Sequence, residues 1–247
     1  MSDRMADSAA HPTGTAGAPL RPVYAVPSQR DTAYSYECNN CKRCCHDKLI
    51  QVNPYEVARL ASHLQMSTGD FARNCLDDNV YLKRVANGAC MFLNADGCGV
   101  HANRPMVCRI YPLGRHVGGD GSETFSHLEP HPQTAGIYGV RQTVLDYLQQ
   151  QGAPQYMAAA DGYLDLFHRL HAALVQSMAQ TPQAAQDMGQ VASAAKAQMP
   201  AWLDVDSVVT AYCAARGLPV PETVEGRMKI HITAIEEWLN QNVSTVA

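Results

Sequence analysis

Cys38-Asn39-Asn40-Cys41-Lys42-Arg43-Cys44-Cys45 places four thiols within eight residues, and the use of those thiols decides what kind of domain surrounds them. Sulfurs at this density are either bridged to one another or bound to a metal. Three more follow at Cys90, Cys98 and Cys108, so seven fall within one domain-sized stretch. The chain has nine cysteines, an odd number that does not close a disulfide framework. The first residues carry no continuous apolar run and are interrupted by Asp3 and Asp7, so no secretory leader is expected. The expected setting is cytoplasmic, where stable disulfides are disfavoured. Metal ligation is the expected use of the thiols.

Composition narrows the partners. The 247 residues carry a formal net charge of -4, which gives no broad electrostatic footprint for nucleic acid. No run approaches the roughly 18 apolar residues of a membrane span. A local basic group does surround the thiols: Lys42, Arg43, Lys48, Arg104, Arg109 and Arg115. Such cations offset the negative charge of a thiolate-metal site and donate hydrogen bonds to it, although a solvated basic face has the same composition.

Three regions are expected: a flexible tail over residues 1–33, a cysteine-cluster domain over 34–131 and a helical region over 132–247. The tail is rich in Ala, Pro, Gly, Ser and Thr and has too little apolar surface to offset its ordering entropy. Asn53-Pro54-Tyr55-Glu56 opens a helix, with Asn53 as cap, Pro54 at the first position and Glu56 reaching back. Val57, Leu60, Ala61 and Leu64 then form one apolar stripe. Ser67 and Asp70 start a second helix with Phe71 and Cys75 on one face. Asp96-Gly97 signals a small hairpin presenting Cys90 and Cys98. In the second half, helices are expected over about 134–150, from Pro154 onward along Met157, Ala160, Leu164, Phe167, His171, Leu174 and Met178, near Val205–Tyr212, and over about 222–240. The expected fold is mainly α: an irregular, metal-stapled cysteine-rich domain with one small β-hairpin, packed on a helical C-terminal half.

Cys-x2-Cys-x2-Cys wraps the chain tightly enough for three sulfurs to converge, and the same opening supplies three ligands to a 4Fe–4S cluster in bacterial ferredoxins. Zinc competes for the same donors, through four thiolates or three thiolates and an imidazole. Seven thiols exceed the needs of one mononuclear zinc, and soft thiolates select both metals.

Taken in order, Tyr36-Glu37-Cys38 to Cys45, Gly88-Ala89-Cys90-Met91-Phe92-Leu93, Asp96-Gly97-Cys98-Gly99-Val100-His101 and Arg104-Pro105-Met106-Val107-Cys108-Arg109-Ile110-Tyr111-Pro112 resemble the YkgJ-type cysteine-cluster family. That family is also called CxxCxxCC and is described as a zinc- or iron-chelating domain. The resemblance covers about residues 34–116. It implies that Cys38, Cys41, Cys44, Cys45, Cys90, Cys98 and Cys108 take the ligand positions. Members are often labelled iron-sulfur oxidoreductases, and flagellin lysine methylases carry a similar cysteine pattern; neither label fixes a reaction. His101 stands where many members have Tyr, which leaves an extra nitrogen donor open.

Other residues weigh as structure rather than chemistry. Cys75 and Cys213 each lie four residues from an apolar helical partner and read as buried, inert thiols. His46, directly after Cys45, and His101 are candidate extra ligands or donors to the sulfurs. His168 and His171 read as helix-packing residues, and Val117–Gly121, flanked by His116, His127 and His131, as a plain turn. Glu236 and Glu237 read as a solvated helix edge. The metal-protease, P-loop, dinucleotide and nucleophile-elbow motifs are missing from the sequence.

The leading expectation is a metal-binding protein holding an iron-sulfur cluster or Zn2+, used in electron transfer or redox sensing with a protein redox partner. A structural zinc module presenting the helical region to a protein partner is the alternative. A third reading is an enzyme with a metal-activated group or free thiolate. No nucleic acid or membrane partner is expected.

Overall fold

The computed structural model describes residues 27–128, 134–180 and 182–243. Most of the expected tail, residues 1–26, lies outside the described residues. From residue 28 the chain is already engaged: Ser28 exchanges backbone hydrogen bonds with Phe125, 2.8 Å in each direction, and Arg30 pairs with Glu123. In chain order the elements are β1 (Ala33–Tyr34), α1 (Pro54–His63), α2 (Thr68–Cys75), β2 (Leu76–Asp77), β3 (Tyr81–Leu82), β4 (Leu93–Asn94), β5 (Gly97–Cys98), α3 (Met106–Ile110), β6 (Leu113–Val117), β7 (Glu123–His127) and β8 (Gln142–Thr143). Five helices follow: α4 (Val144–Gln150), α5 (Pro154–Gln180), α6 (Pro182–Trp202), α7 (Val205–Arg216) and α8 (Val224–Val243). The described chain is mainly helical, with β1–β8, β2–β3, β4–β5 and β6–β7 as antiparallel two-stranded pairs.

Helix α1 forms where the capping residues direct it. The Asn53 side chain accepts from the Glu56 N–H at 3.0 Å, and the Glu56 carboxylate accepts from the Asn53 N–H at 2.9 Å. Such a reciprocal cap is worth about 1 kcal/mol. The helix then buries three faces rather than one stripe. Val57, Leu60 and Ala61 pack with Phe71, Leu76, Leu82 and Val100. Tyr55 enters a second core with Tyr156, Tyr163 and Ile235, and Ala58 packs on Val205 and Val209 of α7. The cysteine segment and the helical half thus meet on α1. Alongside it, the N-termini of α2 and α7 interlock. The Thr68 hydroxyl donates to Asp204 and accepts from the Asp206 N–H, while the Thr68 N–H donates to Asp206.

The structure departs from the sequence reading at two places. The expected helix over 134–150 exists only as α4. Residues 134–143 run extended, with Glu37 and Ile137 exchanging backbone bonds of 2.9 and 3.0 Å and β8 pairing with β1. Glycine is the reason. A Cβ on Gly136 would stand 2.2 Å from the Tyr36 ring, and Gly139 takes a positive φ of 90°; neither suits a helix interior.

In α5 the buried residues are Tyr156, Met157, Ala159, Tyr163 and Leu166, while Phe167 is exposed. Of the expected seam Met157 is buried, but beyond it the core face falls one residue earlier than expected, because the Tyr156 and Tyr163 rings are core. The side chains of Leu174 and Met178, expected on the same seam, lie outside the described residues. The small hairpin forms at β4–β5 with Leu93 opposite Cys98. A second, β6–β7, spans the Val117–Gly121 turn.

His231 of α8 is fully buried, with Nδ1 3.0 Å from the Tyr163 hydroxyl. Burial pushes its pKa down to about 4, against a smaller upward pull from the Trp202 backbone. The unfolded chain therefore binds a proton below about pH 6.5 that the folded chain refuses. Its contribution to stability is complete above that pH and is lost as pH falls toward 4. Denaturant titrations should show the wild type losing about 2 kcal/mol more between about pH 7 and about pH 5 than His231→Leu. Equal pH slopes in the two proteins would remove this assignment.

Candidate metal centre

The four early thiols sit on a tight reversal. Asn40 and Lys42 both take positive φ, 46° and 67°, on either side of Cys41, and a 3-10 turn follows over Arg43–Cys45. Asn tolerates that conformation; Lys does not readily, and its ammonium is held by the Ala95 carbonyl in the β4–β5 turn. Lys42 thus fastens the knuckle to the hairpin that carries Cys98. Gly97 lies at the contact, where an added Cβ would stand 3.5 Å from the Asn40 side chain.

The later thiols arrive on separate supports. Cys90 donates its N–H to the Cys45 carbonyl at 2.8 Å, and His46 bridges Ala89, so the two segments run side by side. Cys98 ends β5. Cys108 rides on α3, whose first N–H, from Met106, donates to Glu56 at 2.7 Å. The residue that caps α1 therefore also positions the last cysteine. Arg109, 6 % exposed, bonds the carbonyls of Ala102, Arg104 and Gln151 and the Tyr156 hydroxyl.

The structure brings all seven expected thiols, Cys38, Cys41, Cys44, Cys45, Cys90, Cys98 and Cys108, to the wall of one cavity of about 80 Å3. Tyr36, Tyr111, His101, Arg104 and Lys48 share that wall. His46 does not line it. Cys75 lies in the apolar core of α1 and α2, and Cys213 in that of α7. All nine cysteines are free thiols.

Electrostatics inside the cavity is set by crowding. Cys44 is held well below the ordinary thiol pKa, first by hydrogen bonding with Cys45 and then by the Lys48 charge. Cys45 is pushed up as the partner that keeps the proton. Burial, with neighbouring sulfurs adding to it, raises Cys90, Cys98 and Cys108. Burial also opposes ionisation of Cys41, but the Ala135 N–H at 3.4 Å, the Arg43 N–H and the Thr134 hydroxyl outweigh it and lower its pKa. Many thiols in one place cannot ionise together without a cation, and a bound metal reverses that balance by deprotonating its ligands.

Lys48 tests the fit. Its Nζ is buried without a hydrogen-bond partner among the described residues and stands 3.4 Å from the centre of the Tyr111 ring. A desolvated ammonium is costly unless an anion faces it, and a thiolate-metal centre is an anion of suitable softness and position. The donor chemistry therefore fits zinc or iron. Among the described residues no three Cys, His, Asp or Glu side chains already stand in a metal-holding arrangement, so holding an ion requires the thiols to turn inward from the cavity wall.

Sequence reasoning missed Thr134 and Ala135, whose groups reach the Cys41 sulfur, because both were assigned to a helix. Lys48 was visible only as one of several cations. Its isolation has no sequence signal.

Residues 37–131 match the family model CxxCxxCC, described as "Putative zinc- or iron-chelating domain". The match contains all seven cavity thiols and Lys48 and ends before α4. No curated protein and no solved structure matches the chain. Among the described residues no helix is long and apolar enough to cross a membrane.

Cys75→Ala and Cys213→Ala should keep the metal content of the wild type by elemental analysis, each costing about 1 kcal/mol of stability. Loss of metal on Cys75→Ala would place that sulfur in the centre.

Proposed function

From the zinc- or iron-chelating CxxCxxCC domain at residues 37–131, we infer that the seven thiols hold a polynuclear metal centre, an iron-sulfur cluster in the leading reading. The observation that carries this is the gathering of seven free thiols and one unpaired ammonium, Lys48, round a single cavity. One tetrahedral zinc takes four donors, and the cavity has room for several water-sized atoms. Iron-sulfur chemistry would supply reversible one-electron exchange. The residues of the chain bind and tune it. Cys38, Cys41, Cys44, Cys45, Cys90, Cys98 and Cys108 are the ligand set. Lys48 faces them as counter-charge, and the Ala135 N–H and Thr134 hydroxyl withdraw electron density from Cys41; both effects raise a reduction potential. Tyr36, Ile50, Leu82, Phe92 and Val100 keep water from the cavity floor. Electron transfer to a protein redox partner, or redox sensing, is the use that follows. Leu82 and Val100 of the cavity wall pack in the core of α1, which joins both halves of the molecule, so a structural zinc role is the second reading.

Protein purified without oxygen should be coloured, contain iron and acid-labile sulfide, and bleach reversibly with dithionite. A colourless protein holding zinc and no sulfide would leave the structural role. Under either metal, Cys108→Ser should lower metal content several-fold and chelation should unfold residues 37–131. Lys48→Met should lower the reduction potential of the bound cluster; an unmoved potential would remove Lys48 from the centre.

A further inference from the structure

A second cleft, of about 370 Å3, opens beside the thiol cavity. Cys38, Asn40, His101 and Arg104 line both spaces. On its far side stand Arg109, Gln150, Gln151 and Gly152. Two guanidinium groups thus face one open, polar space whose walls contain no Asp or Glu. Small-molecule sites of this kind are concave, with a few placed polar groups, and begin at about 300 Å3.

No carboxylate on the cleft wall balances these charges. Arg104 donates through Nη1 to the His101 carbonyl at 2.7 Å, with His101 Nδ1 3.3 Å away, and through Nη2 to the Gln151 side-chain oxygen at 2.7 Å. Every one of those acceptors is neutral. Arg104 has five N–H donors in all, so donors at Nε and Nη2 have no protein acceptor among the described residues. That edge of a guanidinium is the one that grips planar oxyanions two-handed. Arg109 commits four of its five donors to neutral oxygens behind it and adds mainly charge. The carboxylate whose field reaches Arg109 is Glu56, and its oxygens are engaged by the N–H groups of Asn53 and Met106. The cleft therefore carries two guanidinium groups and free donors, with no carboxylate among its lining residues.

We propose that this cleft binds a small oxyanion, a carboxylate or phosphate, on the free edge of Arg104 at the mouth of the thiol cavity. There it stands against Cys38 and His101, within reach of a metal held by the thiols. This last step rests on the metal-centre reading, whereas binding at Arg104 does not. The oxyanion is then the exogenous ligand or substrate fragment that approaches the centre, and Arg104 selects it by charge and planarity.

The test uses the full-length, metal-loaded chain, with metal content measured on every sample and binding expressed per mole of loaded protein. Calorimetric titration with inorganic phosphate and, separately, malonate should show one saturable site for at least one of them, with a Kd below about 1 mM. Saturation by malonate alone assigns carboxylates, and by phosphate alone assigns phosphates. Arg104→Gln keeps a polar side chain and should weaken binding by at least about 10-fold. Should that variant fold poorly, Gln150→Glu on the exposed rim brings a carboxylate into the cleft and should weaken binding about 5-fold by charge alone. Saturation should also shift the absorption spectrum of the centre.

Full metal content with no binding of either anion, or binding untouched by both substitutions, overturns the cleft. Binding with no spectral shift overturns the approach to the metal. A chain that, purified without oxygen, holds neither iron nor zinc but still binds the anion overturns the metal reading and leaves the cleft standing.

Discussion

Arg109 holds together what the rest of the molecule needs. Its guanidinium is buried, lies 4.1 Å from the centre of the Tyr156 ring, and bonds three backbone carbonyls from two separate loops together with the Tyr156 hydroxyl. The Ala102 and Arg104 carbonyls belong to the link between Cys98 and Cys108; the Gln151 carbonyl and Tyr156 belong to the start of the helical half. One planar fork thus fixes the last cysteine-bearing segment to α5. A lysine could not do this, since its point charge lacks the fixed geometry of several donors. A buried charge with fewer acceptors would cost several kcal/mol rather than stabilise. Glu56 performs the matching task from the other side, capping α1 and receiving the Met106 N–H with the same carboxylate.

These two anchors explain how sulfurs from distant positions share a cavity. Each supporting segment is short and irregular, and isolated two-stranded pairs of this length are not stable in water. They are held by attachment to α1, to each other and to the helical half, rather than by a core of their own. The Lys42–Ala95 contact and the Cys90–Cys45 backbone bond sew the hairpin and knuckle together. That arrangement leaves the thiols only sparsely tied, Cys44 to Cys45 and Cys41 to Thr134 and Ala135. A site so built is responsive to what occupies it, because metal ligation would supply the remaining contacts that the polypeptide lacks.

Much of the local structure was legible in the sequence. The Asn53–Glu56 box, the Ser67 cap and the β4–β5 hairpin all formed where their residues indicated, since each depends on interactions within a few positions. The helix read across 134–143 failed for a nonlocal reason. Its apolar spacing was adequate, but Gly136 lies under Tyr36 and residues 33–37 offer backbone partners about a hundred positions away. The shifted face of α5 has a similar cause, as Tyr156 and Tyr163 became core by meeting Tyr55 and His231. His231 lies four residues before Ile235 on the apolar face of α8, but its residue type gave no sign of burial.

The sequence alone determined the number and spacing of the thiols, the caps that start α1 and α2 and the Asp96-Gly97 turn, because these are encoded by residues adjacent along the chain. Only the tertiary structure decided that seven thiols border one cavity while Cys75 and Cys213 do not. It also decided that, among the described residues, the Lys48 ammonium has no hydrogen-bond partner and Arg104 keeps an open edge beside the cavity, and that Thr134 and Ala135 serve Cys41. Each of these depends on which surfaces meet after folding, and a list of residue types does not state where buried charges find, or fail to find, their partners.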